Sequence, residues 1–229
     1  MKSFFQLTVI AVICFCFSAE AQVYKKKTIH SGESISDLSY YLFPSFTDAT
    51  VKLKKGGSLN SKVNFNLLIC EMQFIGPNND TLTISNPENV DSILLNNNTF
   101  FFNKAYYQIV ESANGVRLAV LRKVSYQPIK IGALGLPNYS GTGIQSYTSF
   151  VTSTGDKKLV MNEDVEITSE TAYFLINGNE EFNKANKTFF TKAFPGSEEK
   201  IDAYLKQNKV DFNKQADLQK LFQFCVALN

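Results

Sequence analysis

Apolar and polar positions alternate in short runs over residues 41–127, and this pattern predicts β-strands. The run at 50–54 has period two and precedes a Gly-rich turn. The runs at 106–111 and 116–124 are joined by Asn114-Gly115, a pair that tolerates the positive φ angles of a tight hairpin turn. About eight such runs with short connections predict an antiparallel sheet that is rolled or stacked on itself.

Strand character also covers 63–74, where Leu67-Leu68-Ile69 blurs the alternation. Blurring of this kind is expected where a bulge intervenes or where both faces of a strand are covered. Alternation returns at 158–161, 165–168 and 171–176. A turn is expected at Asn177-Gly178, with 180–182 as the strand that follows it.

The last part of the chain changes to the three- and four-residue spacing of amphipathic helices. A first helix around Phe190 is expected to end at Pro195-Gly196. Ser197 is a suitable N-cap for a second helix, and Asn213 for a third. Short helices need a surface to pack on, which predicts an α+β fold: an antiparallel sheet with a C-terminal cluster of short helices.

The segment 128–156 breaks the pattern, because Gly, Ser, Thr and Tyr follow one another there without periodicity. A segment of this kind is either an exposed surface loop or a binding loop. Under the second interpretation, Tyr139 and Tyr147 are the candidate ligand-binding residues, since Tyr offers contact area with a polar tip.

The first 21 residues predict a secretory signal peptide, with Lys2 before an apolar run and Ala19-Glu20-Ala21 at the cleavage site. Gln22 is then the first residue of the exported protein. Lipidation of Cys14 or Cys16 is the disfavoured alternative, because a large apolar residue precedes each cysteine. No later apolar stretch reaches membrane-spanning length, so no transmembrane segment is expected in the mature chain, and the predicted location is periplasmic or extracellular.

These patterns divide the chain into a signal peptide and four further segments. The lead-in is polar, and its lysines Lys25, Lys26 and Lys27 are expected to form a mobile terminus. The expected segments are 1–21 signal peptide, 22–40 lead-in, 41–127 β region, 128–156 loop, and 157–229 strands plus helices packed on the sheet.

Cleavage leaves two cysteines, Cys70 and Cys225, which allow two interpretations. In an oxidising compartment they could form a disulfide that joins the front of the chain to its last helix. The favoured interpretation is two buried thiols that act as small hydrophobes, since both lie in apolar runs.

Composition excludes several function classes. Hydrophobic content of 44%, with 20 Phe and 10 Tyr, is enough for a packed core and excludes wholesale disorder. The net charge is only +2, and Arg117 and Arg122 are the only arginines, so nucleic-acid binding has little support.

Catalytic chemistry is sparse. The one histidine, His30, lies in the lead-in and is expected to be an ordinary exposed side chain rather than a general base. No sequence motif for a metal, a cofactor or a nucleophilic triad is present. The carboxylate groups Glu163/Asp164/Glu166 and Glu180/Glu181 are the candidates for a two-carboxylate hydrolase, although turn-rich polar stretches usually carry solvated charges.

Several short motifs resemble a family of uncharacterised exported proteins of the Bacteroidota. The resemblance rests on 41–46, 63–66, 71–75 and 80–82 in the first half, and on 173–175, 185–187, 194–195 and 211–212 in the second. It implies a diderm bacterium and a periplasmic or extracellular site. It implies no catalytic residues.

The sequence thus predicts a non-enzymatic exported envelope protein that acts as a binding or interaction module. Its expected partner is an envelope protein or a glycan, with no cofactor and no nucleic acid. The alternative is a carboxylate-dependent hydrolase of an envelope or polysaccharide substrate. A carboxylate pair in one cleft would favour the hydrolase, and a flat aromatic surface would favour binding.

Overall fold

The predicted α+β class is confirmed by a computed structural model, which describes residues 23–30, 40–131, 137–138 and 164–228. Its described part contains an open antiparallel sheet of 11 strands and three helices toward the C-terminus. The signal peptide, Tyr139, Tyr147 and the predicted strand at 158–161 lie outside the described residues.

The strands follow the sequence in short, connected segments. The strands are β1 Val23–Ile29, β2 Thr47–Leu53, β3 Ser58–Asn66, β4 Glu71–Ile75, β5 Thr81–Thr83, β6 Val90–Leu95, β7 Asn98–Phe102, β8 Tyr106–Ala113, β9 Val116–Pro128, β10 Lys130–Ile131, β11 Pro137–Asn138, β12 Val165–Ile176 and β13 Phe182–Lys184. The helices are α1 Lys187–Ala193, α2 Glu198–Gln207 and α3 Gln215–Ala227, and a short 3-10 helix covers Pro87–Asn89. No helix among the described segments has the length and apolar character needed to cross a bilayer.

Two meanders build most of the sheet. Strands β2 to β5 pair in sequence order, strands β6 to β9 do the same, and β2 pairs with β6 to join the two sets. β12 lies along β9, and the other edge of β12 is shared by two strands. β1 pairs with the first seven residues of β12, and β13 pairs with its last three. β10 and β11 form a separate two-stranded ribbon at the start of the predicted loop.

The sheet curls so strongly that its two meanders meet away from their shared edge. The backbone N–H of Val124 in β9 donates to the carbonyl oxygen of Leu67, in the turn between β3 and β4, at 3.2 Å. Because residues directly opposite one another share a face, the registers assign Val120, Phe100 and Ile93 to one face, here called the inner face. The opposite face is called the outer face.

The inner face carries two hydrophobic clusters. One lies under the helices, where Leu118 packs in a cluster with Leu175, Phe190 and Phe222. The other lies within the curl of the sheet and includes Phe65, Met72, Ile93 and Phe100. The helices therefore cover only one end of the inner face, and the strands themselves enclose the rest.

Local capping differs in detail from the expectation. Asn186 caps α1, since its side-chain oxygen accepts the N–H of Phe189 at 3.0 Å. Ser197 occupies the N-cap of α2 as predicted, but its side chain makes no capping hydrogen bond. α3 begins after Lys214 rather than Asn213, and the N–H of Asn213 is held by the Asp211 carboxylate at 2.9 Å.

Three expectations about strands need correction. The lead-in lysines are part of an ordered strand, β1, which pairs with β12, rather than a mobile terminus. Residues 63–74 form two antiparallel strands, with a turn at 67–70 in which Cys70 has a φ of 55°. The two strands expected within 165–176 are one continuous strand, β12, because β9 pairs along its whole length.

Candidate functional site: the outer face of the sheet

A single row of directly paired residues crosses the outer face over eight strands. Each residue in the row is the register partner of the next, so all their side chains share this face. The row runs Asn60, Thr50, Leu94, Thr99, Ile109, Ala119, Phe174, Lys184.

One end of this row lies in a cluster of four aromatic side chains, here called the aromatic patch: Phe101, Tyr107, Phe174 and Phe182. The ring of Tyr107 stacks on Phe101 with centroids 5.5 Å apart and 17° between planes. Its centroid is also 4.9 Å from that of Phe182 and 5.5 Å from that of Phe174. Tyr107, Phe174 and Phe182 are each half-buried, so the patch presents ring surface to solvent.

The aromatic patch is fixed from below and from the side. Ala119 and Ile176 lie fully buried beneath it, and Phe101 is 8% exposed. The Arg117 guanidinium carbon lies 5.0 Å from the centre of the Phe101 ring, and Arg117 also pairs with Glu180. Packing of this kind holds the rings in place before any ligand arrives, which reduces the entropy lost on binding.

The other end of the row lines an open groove of about 830 Å³, here called the outer groove. Thr50, Asn60 and Leu94 from the row lie in its wall, together with the ion pair between Lys62 and Asp48, 3.3 Å apart. Thr50 Oγ1 donates to Asn60 Oδ1 at 3.1 Å. The groove is completed by Ala49, Ser61, Ile75, Asn96 and Asn97.

Beyond the outer groove, the chain at 40–46, here called the strap, runs beside β3, and Phe43 packs against the cluster within the curl. The fully buried amide of Asn64 holds it: Nδ2 donates to the carbonyl oxygens of Phe43 and Ser45, at 2.9 and 3.1 Å, and Oδ1 accepts the N–H of Phe43. Gln73 Oε1 accepts from Tyr41 Oη at 2.8 Å, and burial raises the pKa of Tyr41 to about 12. The segments 41–46 and 63–66 thus serve the fold.

None of the described sequence-based candidates for catalysis lines the outer groove. His30 Nδ1 lies 3.2 Å from Asp164 Oδ2, with the His30 side chain 67% exposed. Asp164 precedes β12 by one residue and lies ten residues from Phe174, about 33 Å along the strand. Glu163 lies outside the described residues.

Glu180 and Glu181 lie in the turn before β13, not in a strand as expected, and Glu180 has a φ of 59°. Glu180 pairs with Arg117, and Glu181 accepts a hydrogen bond from Asn177 Nδ2 at 2.8 Å. Among the described residues that line the outer groove, Asp48 is the only carboxylate. The described residues therefore place no carboxylate pair in the outer groove, and the two-carboxylate hydrolase gains no support from it.

The two cysteines belong to different clusters. Cys70 borders the cluster within the curl, and Cys225 lies in the cluster under the helices. Burial raises the pKa of both thiols, that of Cys225 to about 12. This placement is what two small hydrophobic side chains require, and their chemical state stays a prediction.

One polar junction on the inner face separates the two hydrophobic clusters. Arg122 donates from Nη1 to Gln108 Oε1 and from Nη2 to Gln215 Oε1, the latter at 3.2 Å. Gln108 in turn donates to Asn98 at 2.7 Å, and burial lowers the pKa of Arg122. Since these bonds connect β7, β8 and β9 to the start of α3, we assign this arginine a structural role.

Comparisons with known proteins identify no relative of this chain. No family model, curated protein or solved structure matches the chain. In the described part of the chain, no three His, Cys, Asp or Glu side chains are grouped so that they could hold a metal ion. The outer face, with its aromatic patch and outer groove, is therefore the candidate functional site on geometry alone.

Proposed function

We propose that the protein is an exported binding module of the bacterial envelope that contacts its partner through the outer face of the sheet. The export signal and the family resemblance support the location, and the sparse catalytic chemistry supports binding over catalysis. The partner is an envelope protein or a glycan.

The observation that carries this proposal is the position of Tyr107. Its ring contacts three phenylalanines and is half-buried on the outer face, although α1, α2 and α3 all pack on the inner face. Aromatic side chains that are held rigidly and remain accessible are the usual anchors of binding surfaces. The hydroxyl of Tyr107 adds a polar tip to this apolar surface.

The test is capture of a partner from envelope extract by the immobilised protein and by two variants. Tyr107→Ser removes the central ring of the aromatic patch and is expected to reduce capture at least tenfold. Tyr204→Ser is the matched control, since Tyr204 is also half-buried and stacks on a phenylalanine, Phe224, at 4.3 Å, but between α2 and α3. Capture by this control is expected to equal that of the wild-type protein.

Folding of each variant is checked by thermal unfolding, because loss of a ring contact costs some stability in both. Equal capture by wild-type protein and the Tyr107→Ser variant would overturn the proposal, as would equal losses in both variants.

A further inference from the structure

The side chains that line the outer groove restrict the kind of ligand it can bind. Its charged side chains, Asp48 and Lys62, neutralise one another across 3.3 Å. The remaining polar side chains of the groove on the outer face are hydroxyl and amide: Thr50, Asn60, Asn96 and Asn97. Groups of this kind donate and accept hydrogen bonds without net charge, so they match a ligand rich in hydroxyl groups and free of charge.

Apolar contacts are available beside these polar groups. Leu94 is 45% exposed in the wall of the outer groove, and the rings of the aromatic patch follow along the same outer-face row. A sugar ring needs both kinds of contact. Its hydroxyl groups need hydrogen-bond partners, and its C–H faces need an apolar or aromatic surface. An anionic ligand would instead require an unpaired cation in the outer groove, where the one described cation, Lys62, pairs with Asp48. A purely apolar ligand would leave the amides of the groove without partners.

The distance between the two regions favours an extended ligand. Thr50 and Phe174 are separated by five strand spacings along the row, about 24 Å. Leu94, Thr99 and Ile109 bridge this interval on the same face. A single small molecule cannot reach both ends, whereas an oligosaccharide chain can.

We propose that the aromatic patch and the outer groove form one binding surface for a neutral, extended oligosaccharide. The aromatic patch stacks against ring faces, with Tyr107 at its centre, and the outer groove hydrogen-bonds hydroxyl groups through Thr50, Asn60 and Asn96. This inference rests on the proposed function and names the ligand class of that same face.

The test is an NMR titration of the exported chain with hexasaccharides of known charge. The neutral probes are maltohexaose, cellohexaose, mannohexaose and chitohexaose, and the anionic comparison is hexagalacturonic acid. At least one neutral probe is expected to shift the amide signals of Thr50 and Asn60 and of Tyr107 in the same titration. The anionic probe is expected to bind at least tenfold more weakly.

Variants separate the two ends of the surface. The double variant Thr50→Val/Asn60→Ala is expected to lower the affinity for the neutral probe at least tenfold. Tyr107→Ser is expected to lower it by a similar factor. Asn86→Ala is the matched control with no expected effect, because Asn86 is exposed, makes no capping bond and does not line the outer groove.

Each contrary result has a defined meaning. Failure of all neutral probes, tighter binding of the anionic probe, or unchanged affinity in the groove variant would overturn the inference. If Tyr107-dependent capture from envelope extract persists in that case, the proposed function stands and only the ligand class is wrong. If the Tyr107→Ser variant binds the neutral probe normally, the two regions are not one surface, which also overturns the inference.

Discussion

Tyr106 and Tyr107 are neighbours on β8, yet the first is enclosed in the inner cluster and the second lies at the centre of the aromatic patch. Tyr106 is 2% exposed and packs on Phe65 and Phe102, whereas Tyr107 is half-buried among Phe101, Phe174 and Phe182. Alternation along a strand dictates opposite faces for adjacent residues. Substitutions at these two tyrosines therefore test the core and the candidate site separately.

Tyr106→Phe is expected to leave the free energy of unfolding unchanged or to raise it by up to about 1 kcal/mol. The hydroxyl of Tyr106 is buried and has no hydrogen-bond partner within the described structure, so its removal relieves an unpaired polar group. Urea unfolding of both proteins measures the difference. A loss greater than about 1 kcal/mol would mean that the hydroxyl has a partner, such as an internal water.

Asn64→Ala is expected to lower the free energy of unfolding by about 2 to 4 kcal/mol. The variant loses the bonds that hold the strap, and it leaves backbone groups of Phe43 unpaired. Asn60→Ala is the control on the same strand, because Asn60 is exposed. Denaturant unfolding checks both variants, and equal effects would contradict the role assigned to Asn64.

Cys225 should make the protein less stable at alkaline pH. Burial raises the pKa of its thiol from about 9 to about 12, so its contribution is fully present below pH 9 and is lost as the pH rises toward 12. Over that window, the unfolded chain releases a proton that the folded chain retains, at a cost of about 1.4 kcal/mol for each pH unit.

The Cys225→Ala variant lacks this titration, and its stability is expected to fall less steeply between about pH 8 and pH 10 than that of the wild-type protein. Denaturant unfolding at both pH values measures the slope. Parallel slopes for the two proteins would show that the thiol does not titrate as the structure predicts.

The exported protein is expected to begin at Gln22, because Ala19 and Ala21 are the small residues that follow the apolar run. Intact mass and N-terminal sequencing of the secreted product decide this. A product that begins with a lipid-modified Cys14 or Cys16 would establish the lipoprotein alternative.

Cys70 and Cys225 are expected not to be joined, since each packs in a different hydrophobic cluster. Peptide mapping by mass spectrometry without reduction provides the measurement, and recovery of a linked pair of peptides would refute the expectation. A reduced and alkylated sample serves as the control for thiol exchange during preparation.

Local signals explain most of what the sequence could predict. The turn at Asn114-Gly115 has φ angles of 52° and 74°, as the hairpin signal requires, and Asn96 and Asn97 have positive φ angles in the turn between β6 and β7. The class of fold and the position of the helices at the C-terminus follow from short-range periodicity in the same way.

Non-local pairing explains what the sequence could not predict. The outer face exists because β2 pairs with β6, which places Thr50 opposite Leu94, and no local pattern fixes that register. The alternation of β8 predicts that Tyr106 and Tyr107 point apart, but only the direction in which the sheet curls decides which of the two is covered. Tyr139 and Tyr147, the residues chosen from composition, stay a prediction because they lie outside the described residues.

The pairing of β1 with β12 sets an order of events during folding. Lys27 pairs with Ile167, about 140 residues later, whereas β6 to β9 pair with their immediate neighbours in the chain. Chain segments that are close in sequence meet early, and distant ones meet late. β1 is thus synthesised before the other described strands but cannot pair until β12 has followed, so its backbone remains available to chaperones until β12 is in place.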